Sequence, residues 1–306
     1  MKKILVTGSN GMLGQKLVYK LIERKDIQLI ATSRGENRLR KKDGYIYESL
    51  DISDIVQVEK VFSKHKPDCV INTAAMTNVD ACETKREECW EANVTAVKNI
   101  SCSLEKINSS AHLIHISTDF VFDGMKGSAY DENDIPNPQS YYALSKFEGE
   151  KIVQQSKLKW AILRTIIVYC VTDDSSRSNL VLWVKNNLEK KQKINVISDQ
   201  FRAPTLSEDL ADACIACCDK NAEGIFHASG KETFSILELA YKIADFWNLD
   251  KSFINPVTSL ELNQPAKRPP YTGFNIDKAK KSLGYNPHSF LEGLEIIDKQ
   301  LKEKSN

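Results

Sequence analysis

Through its first half the chain alternates short apolar runs with longer stretches whose apolar residues recur at helical spacing. That is the pattern of parallel strands joined by crossover helices. Aliphatic and β-branched runs predict strands over residues 4–6, 28–31, 69–72, 112–116 and 160–168. Helices are predicted over 15–24, ahead of the third strand, over 87–106, and from residue 142 to about 155. After Tyr169 the pattern loosens. The polar run 172–179 reads as a loop, 180–188 as a helix, 224–228 as a strand and 233–247 as an amphipathic helix. At least two more helices follow from Asp277. The expected fold class is α/β, a doubly wound parallel sheet with a smaller C-terminal α/β lobe. The sheet domain covers 1–168 with 206–230 returning to it, and the lobe covers 169–205 and 231–306.

Composition narrows the picture mainly by exclusion. A chain of 306 residues suffices for one large domain with a lobe, or for two domains. Lys plus Arg number 42 against 41 Asp plus Glu, a formal net charge of +1, so no global field draws the chain to nucleic acid or an anionic membrane. The opening MKKILVTGSNG has two lysines before an apolar run. The run is too short for a signal-peptide core, and glycines interrupt it. It reads better as a buried strand, and no apolar run approaches the roughly 20 residues that span a bilayer. The expectation is a cytoplasmic protein with reduced cysteines, a monomer or homodimer. Cys214, Cys217 and Cys218 lie in EDLADACIACCDK with no second pair and no nearby histidine, so they are read as packing a helix face. No ligand set has metal spacing, and no metal is expected.

Two segments carry chemistry. VTGSNGMLG places Gly8, Gly11 and Gly14 directly after a strand and at the opening of a helix. One glycine allows the sharp turn, another lets the backbone approach a pyrophosphate, and the third permits close helix packing. The phosphates then sit on the positive end of the helix dipole, among Asn10, Met12 and Leu13. This makes the sheet domain Rossmann-type. The spacing is Gly-x-x-Gly-x-x-Gly, not the commoner Gly-x-Gly-x-x-Gly. At the end of the second strand, IATSRGENR has Ser33 and Arg34 where an NAD site carries an acid, and Arg34 suits the 2′-phosphate of NADP(H), with Arg38 in support.

The second segment is YALSK, with Tyr142 and Lys146 one helical turn apart on a shared face. A lysine near a tyrosine is expected to lower the phenol pKa and fit it for proton transfer to a carbonyl. Thr118 ends the strand HLIHIST, a position where open α/β sheets bind ligands.

Together these pieces resemble the extended short-chain dehydrogenase/reductase family over nearly the whole chain. VTGSNGMLG, NTAAMTNVDACE, ISTDFVFDG, YYALSKFEGE, LRT and DQFRAPTLSEDLAD occur in the family's order. ISTDFVFDG and DQFRAPT resemble more narrowly the dTDP-4-dehydrorhamnose reductase branch. The resemblance implies a catalytic set of Thr118, Tyr142 and Lys146, with Lys146 also on the nicotinamide ribose. It implies that Ala74, Ala75 and Met76 line the cofactor channel, that Asp51 and Ile52 sit near the adenine, and that Asn93 supports the site. The implied reaction is hydride transfer from NADPH to C4 of a nucleotide-linked 4-keto-6-deoxysugar, with Tyr142 as proton donor and Thr118 polarising the carbonyl.

Similar 4,6-dehydratases carry Thr-Asp-Glu where this chain has Thr118, Asp119 and Phe120, and a phenyl ring moves no proton. Family epimerases generally hold NAD, which fits Arg34 poorly. In the lobe, Arg202 replaces a residue that is small in relatives. It is left between a substrate diphosphate or carboxylate and a pairing with Asp199, while Arg268 matches a recurrent Arg-Pro that touches nucleotide phosphates. A non-catalytic alternative stands beside the enzyme. The regulatory subunit of methionine adenosyltransferase resembles the same branch, and fold does not decide between them.

Overall fold

The structure is a computed structural model describing residues 1–174 and 179–305. Its strands are β1 (Lys2–Thr7), β2 (Ile27–Ser33), β3 (Ile46–Ser49), β4 (Cys69–Asn72), β5 (His112–Thr118), β6 (Lys159–Thr165), β7 (Val168–Tyr169), β8 (Ile194–Ile197), β9 (Phe201–Arg202), β10 (Thr205–Leu206), β11 (Gly224–His227), β12 (Phe234–Ser235), β13 (Ile254–Val257) and β14 (Tyr271–Thr272). Among the described residues, seven of these form one parallel sheet in the order β11-β6-β5-β4-β1-β2-β3. The order reverses between β1 and β4, the crevice where open α/β sheets bind ligands.

The central strands are aliphatic and buried on both faces, as a sheet sandwiched by helices requires. On one face, α1 (Met12–Leu21) contributes Leu17, Val18 and Leu21. On the other, α2 (Ile55–His65) contributes Val58 and Phe62. After α3 (Val79–Thr84) and α4 (Arg86–Trp90), α5 (Ala96–Ile107) adds Val97, Ile100 and Leu104 to that second face. Then come α6 (Tyr141–Gln155), α7 (Leu180–Glu189) and α8 (Ser207–Lys220). Helix α8 returns to pack on α1, and Cys214, Cys217 and Cys218 are fully buried there with Leu210 and Ala211, as apolar filling. The remaining helices are α9 (Ile236–Phe246), α10 (Ser259–Leu262), α11 (Asp277–Leu283) and α12 (Phe290–Ser305). Helices α7, α9 and α12 enclose a separate apolar core with β8 and β13.

Four differences from the sequence pattern have physical causes. Strand β3 was not anticipated: it is four residues long, half-exposed and at the sheet edge, so it carries no apolar run. The expected strand over 160–168 stops at Thr165, because Ile167 takes φ +26° and turns the chain out of the sheet. The expected helix over 87–106 is interrupted by a π-turn over Glu91–Thr95. Two backbones meet closely there: a Cβ at Gly149 of α6 would stand 2.7 Å from the Asn93 carbonyl oxygen. The helix expected from 233 starts later, at Ile236, where Ser235 and Glu238 close a capping box. The expected loop 172–179 includes 175–178, which lie outside the described residues. Asp173 before it accepts from Tyr19 and from the Arg40 N–H, and donates its own N–H to Gln15.

Below the sheet's working end, Arg164 of β6 donates to Glu150 of α6 through two bonds of 2.9 and 2.7 Å, with both side chains buried. Removing one partner leaves the other charge uncompensated in the interior. Glu150→Ala is expected to destabilise the fold by about 3–5 kcal/mol, read as a lower urea midpoint. An unchanged midpoint would show the pair to be dispensable.

Candidate active site

The cofactor end is built by close backbone approach. Gly8 has φ +67°, and a Cβ there would lie 2.9 Å from the Ala74 nitrogen. A Cβ at Gly14 would fall 2.2 Å from the Gly8 carbonyl oxygen. The turn therefore admits only glycine at both places, and it brings the opening of α1 against residues 73–74. Gly11 is the N-cap of α1 and no side chain caps the helix, which leaves the first N–H groups directed at a ligand. This cradle suits a dinucleotide's pyrophosphate.

The neighbouring loops are held by side chains, among which Asn99 was not singled out in the sequence. Asn10, buried within the turn, donates to the Glu36 carbonyl and accepts from the Arg38 N–H, so it pins the loop after β2. Arg34 at that loop is 79% exposed, with Asp51 its nearest acid at 3.9 Å, which leaves its guanidinium open to a phosphate. Arg38 instead pairs with Asp174 at 3.3 Å. Asn99 donates to the carbonyls of Ile52 and Ser53. Asn93 accepts from the Met76 N–H at 2.8 Å and donates to the Met76 carbonyl at 3.0 Å. Its amide thereby fixes the segment carrying Ala74, Ala75 and Met76.

At the reaction end, Ser140 caps α6 by accepting from the Ala143 N–H. That start places Tyr142 and Lys146 on the face turned to β5, both buried. Thr118, the last residue of β5, is buried near Tyr142 and acts to lower the phenol's pKa. All three sequence candidates are thus brought together. The expected electrostatics are not found. Burial raises the Tyr142 pKa well above its ordinary value, and nearby Asp119 adds to the rise. Lys146 does not offset this, because it is itself desolvated and pulled down to about 8. Its ammonium nitrogen donates to the Ile116 carbonyl at 2.7 Å and stands 3.5 Å from His115 Nε2.

His115, Asn72 and Thr7 form a buried polar row from the lysine toward the glycine turn. Asn72 Nδ2 contacts His115 Nδ1 at 3.1 Å, and Thr7 donates to Asn72 Oδ1 at 2.6 Å. Polar residues at the ends of adjacent strands, in VTG and INT, were the available signal for Thr7 and Asn72.

Arg202 and Arg268 have partners within the protein. Arg202 is buried, and its ion partner is Asp119 at 3.7 Å rather than Asp199, which instead accepts from Ser259. Its remaining N–H groups go to the carbonyls of Phe201, Pro269 and Pro270 and to Gln200. Both terminal nitrogens of Arg202 are therefore engaged within the protein, while Nε faces Asp119 beyond hydrogen-bond length. Arg268 binds Asp80 through two bonds of 3.0 and 2.8 Å. Phe120 lies under the Arg202 guanidinium and meets the Tyr142 ring edge-on, with centroids 6.0 Å apart.

A parallel sheet with this strand order, a glycine cradle at its switch point and a threonine–tyrosine–lysine cluster beside it define a Rossmann-type protein of the short-chain dehydrogenase/reductase class. The family model described as the RmlD substrate binding domain matches residues 1–302, and the chain belongs to that family, the dTDP-4-dehydrorhamnose reductase branch of the class. The spore coat polysaccharide biosynthesis protein SpsK of Bacillus subtilis is 31% identical, with 100% of this chain and 99% of that protein covered. The bovine (Bos taurus) methionine adenosyltransferase 2 subunit beta is 31% identical, with 84% and 75% covered. The dTDP-4-dehydrorhamnose reductase of Bacillus anthracis, solved in complex with NADP, superposes with a TM-score of 0.84 at 30% identity, with 98% of this chain and all of that one covered.

Among the described residues no helix is long and apolar enough to cross a membrane, and no group of three or more His, Cys, Asp or Glu side chains could hold a metal ion.

The depressed Lys146 pKa has a measurable consequence. Between about 8 and the ordinary value of 10.5 the unfolded chain binds one more proton than the folded chain, so stability rises with pH in that window. The unfolding free energy of the unaltered protein should therefore gain on that of Lys146→Met from pH 8 to 10.5. Parallel pH dependences in the two proteins would place the lysine in a solvated environment.

Proposed function

We propose that this chain is an NADPH-dependent reductase of a nucleotide-linked 4-keto-6-deoxysugar. The observation that carries the reading is the buried cluster of Thr118, Tyr142 and Lys146 beside the glycine cradle at the sheet's switch point. The NADP complex of the similar Bacillus anthracis reductase supports the cofactor assignment. When bound, NADPH supplies the hydride to C4 of the sugar.

The chain's own residues do the rest. Tyr142, kept protonated by burial, donates its proton to the carbonyl oxygen as negative charge develops there. Thr118 orients and polarises the carbonyl. Lys146 reaches the nicotinamide ribose, and its ammonium form offsets the phenolate left on Tyr142. Gly8, Gly11 and Gly14, with Asn10, Met12 and Leu13, receive the pyrophosphate on backbone N–H groups. Ser33 and Arg34 take the 2′-phosphate, Asp51 and Ile52 flank the adenine, and Ala74, Ala75 and Met76 line the channel that Asn93 holds. The lobe of residues 169–205 and 231–306 is the substrate side. There Arg268, shared with Asp80, is the guanidinium placed for a diphosphate, whereas Arg202 acts on Asp119.

Phe120 supports reduction over dehydration, because a phenyl ring, which moves no proton, follows Asp119 where similar dehydratases carry the acid that assists loss of water. The bovine relative supports a second reading, a regulatory subunit on the same fold. Turnover separates the two.

NADPH oxidation followed by absorbance with 4-keto-6-deoxysugars linked to dTDP, UDP or GDP should show turnover on at least one. Tyr142→Phe should lower that rate by at least about 10²-fold and leave NADPH affinity unchanged. Tight NADPH binding without turnover on any of them would favour the regulatory reading. Arg34→Ala should erase a preference for NADPH over NADH; a preserved preference would assign the 2′-phosphate to another group.

A further inference from the structure

Three strand ends carry a polar row to the catalytic lysine. Thr7 of β1, Asn72 of β4 and His115 of β5 are register partners on adjacent parallel strands, and all three are buried. The direction of each bond in the row follows from the one before it. The Ala74 N–H donates to Thr7 Oγ1 at 3.4 Å, and Thr7 gives its single hydroxyl proton to Asn72 Oδ1 at 2.6 Å. Asn72 thereby turns its amide NH2 to His115 Nδ1, at 3.1 Å. A ring nitrogen that accepts carries no proton, so the neutral imidazole carries its proton on Nε2. Burial, with Lys146 beside it, keeps that ring neutral. The Nε2–H then faces Lys146 Nζ at 3.5 Å.

Lys146 itself donates to one carbonyl, that of Ile116, at 2.7 Å. An ammonium brings three N–H groups to this place. An amine brings two and a lone pair, which the His115 N–H can meet. The charged and titratable groups packed around this part of α6 are Cys82 and Glu83 of α3, Cys89 of α4, Asp119 after β5, and Glu150 on α6 itself. Three of them are engaged elsewhere: Glu83 with the Tyr141 N–H and Arg86, Asp119 with Thr118 and Thr272, and Glu150 with Arg164 through two bonds. Burial of the lysine outweighs the pull of Glu150 and Cys89 toward the ammonium, and Lys146 falls to about 8.

We propose that NADPH binding draws a proton onto Lys146, and that His115, aligned by Asn72 and Thr7, is a positioning residue that favours the unprotonated amine until the cofactor is bound. The proton comes from solvent and stays on Lys146 Nζ, whose N–H groups then find acceptors in the ribose hydroxyls. The inference rests on the reductase reading above for the placement of NADPH at Lys146. It makes the lysine's charge, which that reaction sets against the phenolate, a consequence of cofactor occupancy.

The test is calorimetric titration of NADPH into the protein at about pH 8.5, inside the window where the lysine titrates. Two buffers of different ionisation enthalpy give the protons taken up with each cofactor bound. With Lys146 returning from about 8 to its ordinary 10.5, the unaltered protein should take up about three-quarters of a proton, and Lys146→Met none. His115→Leu removes the N–H that meets the amine. One hydrogen bond shifts such an equilibrium about fivefold, so uptake should fall to about half of the unaltered value. Asn72→Asp keeps the bond from Thr7 but accepts from Nδ1–H, which turns the Nε2 lone pair to Lys146, and uptake should fall again. No uptake by the unaltered protein, uptake that persists in Lys146→Met, or undiminished uptake in a folded row variant would overturn the proposal, and sugar turnover alongside would leave the reductase reading standing. Failure of NADPH to bind would remove the cofactor assignment and this role with it.

Discussion

Desolvation at the C-terminal end of β5 is the constraint on which the working end of this molecule depends. Tyr142, Lys146, His115, Asp119 and Arg202 are all buried within a short reach of one another. Burial shifts each toward its neutral form: the tyrosine and the carboxyl go up, and the lysine, the histidine and the guanidinium go down, Arg202 to about 10. Charges kept in such a place need partners of good geometry. Those partners are drawn from different parts of the chain: Ile116 for Lys146, Asn72 for His115, and Thr272 with Arg202 for Asp119. The resulting network ties the sheet, α6 and the paired strands β9 and β14 into one site.

Close backbone approach does the complementary work. Gly8 brings the turn onto the loop after β4, Gly14 lets the opening of α1 meet the end of β1 at Gly8, Gly149 lets α6 meet the π-turn at Asn93, and Gly124 lets the loop after β5 meet Pro269 and Pro270. Each contact joins two segments that carry site residues. The site's geometry is therefore set at places where a side chain is missing as much as where one is present. The π-turn is instructive. Asn93 lies within it, and its amide both accepts from and donates to Met76, so an irregular helix turn holds the channel wall in register.

Much of this was legible in the amino-acid order. Alternating apolar runs predicted the parallel sheet, because a strand buried on both faces is largely aliphatic. The glycine spacing after β1 and the Tyr142–Lys146 interval marked both ends of the site, because turn geometry and helical periodicity are local properties. Strand β3 was not legible: a short, half-exposed edge strand needs no hydrophobic signature. The end of β6 at Thr165 was hidden as well, since the apolar run continues through a turn.

The sequence by itself determined the elements, their alternation and the chemical types at the strand ends, because those follow from periodicity and from what each side chain can do. Only the tertiary structure decided which groups share a proton, a charge or a dry environment. It paired Arg202 with Asp119 rather than Asp199, raised Tyr142 where helical spacing to a lysine predicted a fall, and brought Thr272 to a carboxylate 153 positions away. Such partnerships depend on distance and burial, and both are set by how the chain returns on itself.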